Sequence, residues 1–272
     1  IPHAKVMIDL PGNKIRITNL PNKIQFLRGE TIRLWYTDFN YMGFPALVSP
    51  GSVILANDAT LRFIVESSDD KSILLRAEHS GELIGGKGMH IQGISKDLPF
   101  LFQTDRDLLH AAAEARLEYV SLSYVRDDYD IRLAKEYLGE LDYAPALITK
   151  VETSAALDNL DAILDEVGKI NIDRGDLSSD IGMLKLAESQ ARIIASCKAK
   201  GKDVFLATQC LKNMETRPIP LIPEILDLSS SIQQGISGIQ LSEETAVGLY
   251  PLECIRLVWQ VYHQFKNRQP TL

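Results

Sequence analysis

The hydrophobic pattern changes period twice along the chain. It opens on a short apolar run, AKVMID at 4–9, then a turn at Pro11-Gly12 and a second extended piece, KIRIT, at 14–18. From about 21 to 97 the runs FLRGETIRLWY, SVILAND, LRFIVESS and SILLRAEH alternate apolar and polar residues, separated by Gly, Asp, Asn and Ser. Period-two alternation between turn residues predicts a small antiparallel β domain. Beyond about 98 the texture becomes helix–strand alternation. Thr104 is read as the cap of a helix to about 116, followed by a strand at 120–124 and a helix at 127–140 with Ile131, Ala134 and Leu138 on one face. A strand at 145–150 precedes a helix aligning Leu157, Leu160, Leu164 and Val167. A strand at 169–173 precedes a long helix whose stripe is Ile181, Leu184, Ala187, Ala191 and Ile194. DVFLATQ at 203–209 leads into helical stretches to about 233, and GIQLSEE at 238–244 into a last helix from Pro251 to near Phe265.

Repeated βα units with short strands, apolar on both faces, predict a parallel sheet covered by helices. Five units and the opening strand make six strands. An open doubly wound sheet would satisfy that count, but polar residues follow nearly every strand, as at the rim of a barrel. The expected architecture is therefore α/β: a (β/α)8 TIM-type barrel, two strands incomplete, from 1–20 and 98–272, with a small antiparallel β-barrel lid inserted at 21–97. The strand that begins almost at once implies that chain once preceded Ile1.

Composition narrows the partners. The 272 residues are 45% hydrophobic and 24% charged, ordinary values for a chain with a full core. A net charge of −7 and a pI near 5.3 argue against a nucleic-acid surface. Phosphorylated substrates stay possible, because a few converging cations can reverse the local potential. No apolar run reaches the roughly 18 residues of a membrane span. Three cysteines without CxxC spacing read as reduced, mostly buried thiols of a cytoplasmic protein.

In a (β/α) barrel the chemistry lies where strands end. Asp9 ends the first strand, with Lys14 and Arg16 beyond; Arg126 follows the next. Lys150 and Glu152 end another, Arg174, Gly175 and Asp176 another, then Thr208 and Gln209, and finally Ser242, Glu243, Glu244 and Thr245. Two carboxylates make a hard-cation site for Mg²⁺ or Mn²⁺, a lysine beside it offsets developing charge, and a threonine can relay a proton. Plainer readings exist for each. Glu152 can favour the first turn of a helix and Asp176 can serve as a turn or N-cap residue. Arg174-Gly175-Asp176 also spells an integrin-recognition tripeptide, a match short enough to arise by chance. The glycine-rich 85–88 lacks a P-loop pattern and reads as a hinge or tight turn. His79, His90, His110 and His263 have no metal spacing and read as structural or exposed.

The ordered motifs ITKVET, INIDRGDL, KGKDVFLATQ, RPIP and GIQLSEETAVGLYP resemble pyruvate kinase. SLSYVR resembles that family's Ser-Phe-Ile-Arg, IDLPGNKIR its Asp-Thr-Lys-Gly-Pro-Glu-Ile-Arg, and 21–97 its lid, with Gly81, Leu83, Lys87 and Gly88 in place. The resemblance implies phosphoryl transfer between phosphoenolpyruvate and ADP, giving pyruvate and ATP, in glycolysis. By it Lys150 stabilises the transferring phosphoryl group and the enolate, and Thr208 sits near the carbon that is protonated. Ser242 and Glu244 belong to a proton relay. Glu152 and Asp176 ligate Mg²⁺ or Mn²⁺. Arg174, Gly175, Asp176 and Thr208 form the substrate side, with the Gly175 and Asp176 amides on the substrate carboxylate. Arg16 and Lys87 form the nucleotide side.

Departures from the pattern shape the expectation. Asp-Thr-Lys reads here as Asp9-Leu10-Pro11, removing a monovalent-cation ligand and a nucleotide-side lysine. Lys14 stands where many members have Glu, which in the family goes with independence from potassium, so Asp9 and Lys14 are assigned to the monovalent-cation site or its replacement. Glu243 replaces a glycine, and IPLIPE lacks the arginine that usually follows Arg-Pro. The family's first two barrel strands, with a phosphate-binding arginine, and its C-terminal regulatory domain are not in this sequence. A homo-oligomer, or association with a missing N-terminal segment, is expected. Two other functions compete: a metal-dependent pyruvate or enolate lyase or decarboxylase, and a catalytically degenerate binding protein.

Overall fold

The computed structural model describes residues 4–20, 22–56, 60–91 and 98–266. Asn57 and Asp58 of one expected strand, and the expected lid limits at 21 and 97, lie outside them. Strand β1 (Met7–Asp9) leads into an antiparallel region. That region comprises β2 (Ile24–Phe26), β3 (Thr31–Trp35), a short α1 (Phe44–Leu47), β4 (Val53–Ala56), β5 (Leu61–Ser68), β6 (Ser72–Ala77), β7 (Gly81–Leu83) and β8 (Met89–His90). Alternation follows as expected: α2 (Gln103–Glu114), β9 (Tyr119–Leu122), α3 (Asp128–Glu140), β10 (Ala146–Val151), α4 (Ser154–Asp158), α5 (Leu160–Glu166), β11 (Lys169–Asp173), α6 (Arg174–Ile181) and α7 (Met183–Ala199). The chain then runs through β12 (Asp203–Ala207), α8 (Ile222–Gln234), β13 (Gly238–Gln240), α9 (Glu243–Ala246) and α10 (Pro251–Lys266).

The barrel strands form one all-parallel, six-stranded sheet in the order β1-β9-β10-β11-β12-β13. Six strands among the described residues are two fewer than a closed (β/α)8 barrel needs. The two faces of this sheet differ, which corrects the expectation of apolar residues on both. Val120, Leu122, Val151, Ile170, Ile172, Val204 and Leu206 join the main core against the helices. The alternate positions carry the buried polar residues Ser121, Lys150, Asn171 and Asp173 beside the apolar Ile148, Phe205 and Ala207. Register explains the division, since Lys150 pairs with Asn171 and successive side chains point to opposite faces. The polar face is the barrel interior.

The lid is antiparallel throughout, a five-stranded sheet β3-β6-β5-β4-β8 and a two-stranded ribbon β2-β7. Phe44, Phe63, Leu34, Ile54, Ile73 and Leu75 fill its own core, which also takes Ile15 and Ile17 from the segment after β1. The expected extended piece at 14–18 is held by bridges Arg16–Gly88 and Ile17–Phe39.

Three local expectations are corrected. Thr104 does not cap α2: Phe102 is the cap residue, and buried Asp105 accepts its N–H at 2.8 Å. The helix after β10 divides at Asn159 into α4 and α5, yet Leu157, Leu160, Leu164 and Val167 are all buried as expected. The long helix after β11 breaks at Gly182, whose φ is +85°. The break resets the helical phase, so Leu184 is fully exposed, and Gln190, Ile193 and Cys197 face the core beside Ile194, which is buried as expected. All three cysteines are free and buried, and no helix among the described residues is long and apolar enough to cross a membrane.

Candidate active site at the strand ends

Lys150, near the end of β10, is the centre. Its Nζ lies 3.2 Å from Asp173 Oδ2, 3.5 Å from Asp9 Oδ2 and 3.6 Å from Glu152 Oε2. Parallel pairing aligns these groups, because β1, β10 and β11 deliver their last inward residues to one rim. The next element adds Asp176: α6 begins at Arg174 directly after Asp173, with no loop between. Glu152, Asp173 and Asp176 present carboxylate oxygens within 4.8 Å of one another.

The electrostatics are those of crowded acids. Burial pushes the Glu152 carboxyl up to about 8; Lys150 opposes that, and Asp173 and Asp176 reinforce it. Burial also works against ionised Asp176, but Lys14, the Tyr124 hydroxyl and Lys150 outweigh it and hold its carboxyl below the usual range. Lys150 is desolvated, yet Glu152, Asp173 and Asp9 keep it firmly protonated. Glu152 Oε1 accepts the Tyr124 N–H, while Oε2 is buried and has no hydrogen-bond donor among the described residues. A buried carboxylate oxygen without a donor is costly. Hard carboxylate oxygens of Glu152 and Asp176, with Asp173 within reach, suit a divalent cation such as Mg²⁺ or Mn²⁺. The residues present therefore fit such an ion.

The turn after β12 is strained. Thr208 and Gln209 have φ of +65° and +52°, a region unfavourable to a β-branched residue. Arg174 holds the turn: Nε and Nη2 donate to the Thr208 carbonyl at 3.1 and 3.0 Å, and Nη2 also to the Gln209 carbonyl at 3.0 Å. Its Nη1 pairs with Asp227 of α8 at 2.5 Å. The Thr208 hydroxyl accepts the Gly175 N–H at 2.8 Å and lies 3.2 Å from Asp173 Oδ1.

Lys14 reaches the cluster from the other side and pairs with Asp176. The turn that aims it depends on Gly12, with φ +66° and Ser123 Cβ only 2.9 Å from where a Cβ would stand. Asp105 Oδ1 accepts the Gly12 N–H at 2.9 Å, so the carboxylate that closes the first turn of α2 also anchors this turn.

Of the residues singled out from sequence, Asp9, Lys14, Lys150, Glu152, Gly175, Asp176 and Thr208 converge here. Arg174 is adjacent, with the donors just described directed at the turn and Asp227. Arg16 and Lys87 sit together on the lid, where the Ile17 N–H donates to the Lys87 carbonyl at 3.0 Å and Arg16 Nη1 to the Gly86 carbonyl at 3.5 Å. Glu244 is buried, and both its oxygens are taken by backbone amides, Leu211 at 3.0 Å and Ser242 at 2.9 Å. It braces the β12 and β13 loops.

Two site residues escaped the sequence reading. Asp173 reads in the sequence only as the end of a strand, although its two-residue spacing from Asn171 places it on the polar face. Tyr124, with φ +56°, is buried, and burial followed by the Asp176 and Glu152 charges raises its hydroxyl well above the usual range. Its left-handed backbone had no sequence signal.

The comparisons agree with this geometry. The family model described as "Pyruvate kinase, barrel domain" matches residues 3–255. The chain is 31% identical to pyruvate kinase 2 of Candida glabrata over 82% of its length and 44% of that protein's. It is 30% identical to the pyruvate kinase of Hypocrea jecorina, covering 97% of the chain and 49% of that protein. With the pyruvate kinase of Methanocaldococcus jannaschii it shares 31% identity over 97% of the chain and 60% of that protein. The chain thus spans about half the length of the curated relatives it matches. A parallel sheet ending in Lys150, Glu152 and Asp176, an antiparallel lid after β1 and a family match over nearly every residue lead to one conclusion: this chain belongs to the pyruvate kinase family.

Proposed function

We propose that the chain carries a divalent-metal-dependent phosphotransfer site of the pyruvate kinase type, moving the phosphoryl group of phosphoenolpyruvate to ADP. The observation that carries this reading is the Glu152–Asp173–Asp176 cluster beside Lys150, with a buried Glu152 oxygen that lacks a donor. Glu152 and Asp176 would hold Mg²⁺ or Mn²⁺, which supplies charge compensation to phosphoryl and enolate oxygens. Lys150 offsets charge on the same oxygens. The bond from phosphorus to the enol oxygen breaks, one to the terminal oxygen of ADP forms, and the enolate carbon takes up a proton. The Thr208 hydroxyl, fixed by the Gly175 amide, is the group assigned to hand that proton on. Ser242 and Glu244 would complete the relay by holding its loop. Arg16 and Lys87 are the proposed nucleotide contacts on the lid. Lys14 is the proposed replacement for potassium. A cytoplasmic, glycolytic homo-oligomer is the matching cellular reading.

Mn²⁺ titration followed by electron paramagnetic resonance tests the metal assignment. Wild type binds, and Asp176→Ala weakens binding by about tenfold or more. Equal affinity in the two proteins sinks the assignment. A coupled assay with phosphoenolpyruvate and ADP tests the reaction.

One observation favours a second reading, enolate chemistry without a nucleotide. Leu10, standing where the family has threonine, is buried in the barrel core and offers no polar contact. Thermal stabilisation by Mn²⁺ plus oxalate, without turnover in the coupled assay, would support that lyase-like alternative. No stabilisation would favour a catalytically degenerate protein.

A further inference from the structure

The site holds more negative charge than an anion-binding pocket should. Four carboxylates, Asp9, Glu152, Asp173 and Asp176, face two ammonium groups, Lys14 and Lys150. The nearby arginines are committed elsewhere: Arg174 to the Thr208 and Gln209 carbonyls and Asp227, Arg126 to Asp130 and the Leu98 carbonyl. A divalent cation on Glu152 and Asp176 would account for two of the acids. Asp173 remains.

Its position is specific. One oxygen, Oδ2, lies 3.2 Å from Lys150 Nζ, and the other, Oδ1, lies 3.2 Å from the Thr208 hydroxyl. A Cβ built on Gly175 would also stand 3.5 Å from Oδ1, so the carboxylate lies against the start of α6. Lys150 and Thr208 are the groups that the proposed function sets on the reacting substrate, and the Gly175 amide holds the Thr208 hydroxyl. The Asp173 carboxylate already contacts both Lys150 and Thr208, although the Thr208 hydroxyl also lies 2.7 Å from the Ala207 carbonyl. An incoming anion must therefore approach a fixed negative charge in a largely buried site, where screening is weak.

We propose that Asp173 is a specificity-determining residue whose carboxylate occupies the substrate-anion position between Lys150 and Thr208, so that an anionic substrate must displace it. The inference rests on the metal and substrate reading above, and it goes beyond that reading by giving the chain a resident competitor. The site discriminates by repulsion: a multiply charged phosphorylated acid is disfavoured unless its charge is offset by a divalent cation, and a small mono- or dicarboxylate is disfavoured less.

Oxalate binding to Mn²⁺-loaded protein, measured by isothermal titration calorimetry, tests this in wild type, Asp173→Ala and Asp173→Asn. Asparagine preserves size and a contact to Thr208 while removing the charge, and thermal melts establish that each variant is folded. Oxalate should bind about tenfold more tightly to both variants, and phosphoenolpyruvate should gain more than oxalate. Mn²⁺ affinity without oxalate, followed by paramagnetic resonance, should stay within about threefold of wild type, because Glu152 and Asp176 keep the ion. Unchanged or weaker oxalate binding overturns the proposal. Tightening in Asp173→Ala but not in Asp173→Asn overturns the charge argument on which it stands. Collapse of Mn²⁺ affinity in both variants makes Asp173 a metal ligand and overturns it equally. If wild type takes up no Mn²⁺, it is the metal reading that fails, and oxalate binding without metal then decides whether Asp173 guards an anion position at all.

Discussion

At the scale of single residues, the site is a balance between buried acids and two lysines, and Glu152 is where the balance is least even. Its folded value, up to about 8, lies above the ordinary 4.5. The folded metal-free protein therefore binds this proton more tightly than the unfolded chain does. That contribution to stability is fully present below about pH 4.5 and is lost as pH rises through about 8. Between these limits the metal-free protein should lose stability on the order of a few kcal/mol relative to Glu152→Gln, which cannot titrate. Saturating Mn²⁺ should remove the difference by holding the carboxylate ionised. Thermal melts across this pH range, with and without the ion, check it; parallel pH profiles for wild type and Glu152→Gln would show that the carboxyl is not strained.

At the scale of elements, α6 does several jobs in eight residues. Its first residue braces the Thr208 turn, its third joins the carboxylate cluster, and its seventh, Asp180, reaches the lid. His90 at the end of β8 lies 3.3 Å from Asp180 Oδ1, while Asp180 Oδ2 accepts the Ser154 N–H at 2.5 Å. Asp176 and Asp180 are one helical turn apart and lie on the same face of α6. One contacts Lys14, the other His90, and the lid backbone is tied to residues 15–17 between those points by Met89 N–H to the Ile15 carbonyl at 2.8 Å. Two side-chain contacts are thus the latches between lid and barrel on this helix. Removing one in His90→Ala should make local opening of the 86–91 segment easier by about 1 kcal/mol, or roughly fivefold faster amide exchange there. Hydrogen exchange followed by mass spectrometry reads it. Unchanged exchange at 86–91 would place the hinge elsewhere. The glycine-rich turn at 85–88 fits this use, because Gly86 has φ +83° and its N–H donates to the Ile17 carbonyl at 2.6 Å.

At the scale of the whole molecule, the sheet ends in two strands, β1 and β13, each paired on one side only among the described residues. Such edges carry unpaired backbone groups that favour association. Val6 beside β1 and Leu252, Ile255 and Trp259 on α10 are large, apolar and more than half exposed. A protein made of these 272 residues alone should therefore self-associate, with a light-scattering mass that rises with concentration. Val6→Lys, which puts a charge next to β1, should lower that mass. A monodisperse monomer at high concentration would show that the edges are protected by means not visible among the described residues.

Much of this was legible in the residues themselves. Period-two alternation gave the lid strands, and βα alternation gave the six parallel strands in order, because both depend on short-range patterns of burial. Lys150, Glu152, Asp176 and Thr208 were identifiable because barrel chemistry lies at strand ends, and their neighbours repeat a family's motifs. What the sequence could not decide were the consequences of packing. The break at Gly182 rotated α7 and left Leu184 in solvent, since a change of helical phase depends on one left-handed residue that no hydrophobic period reports. The polar barrel interior looked apolar, because a run such as ITKVE does not say which alternate face meets the helices. The partners of Asp173, the Lys14–Asp176 pair and the grip of Arg174 on a strained turn join residues more than twenty positions apart. Only the tertiary structure brings such groups within 4 Å, and only there do charge, burial and strain act on one another.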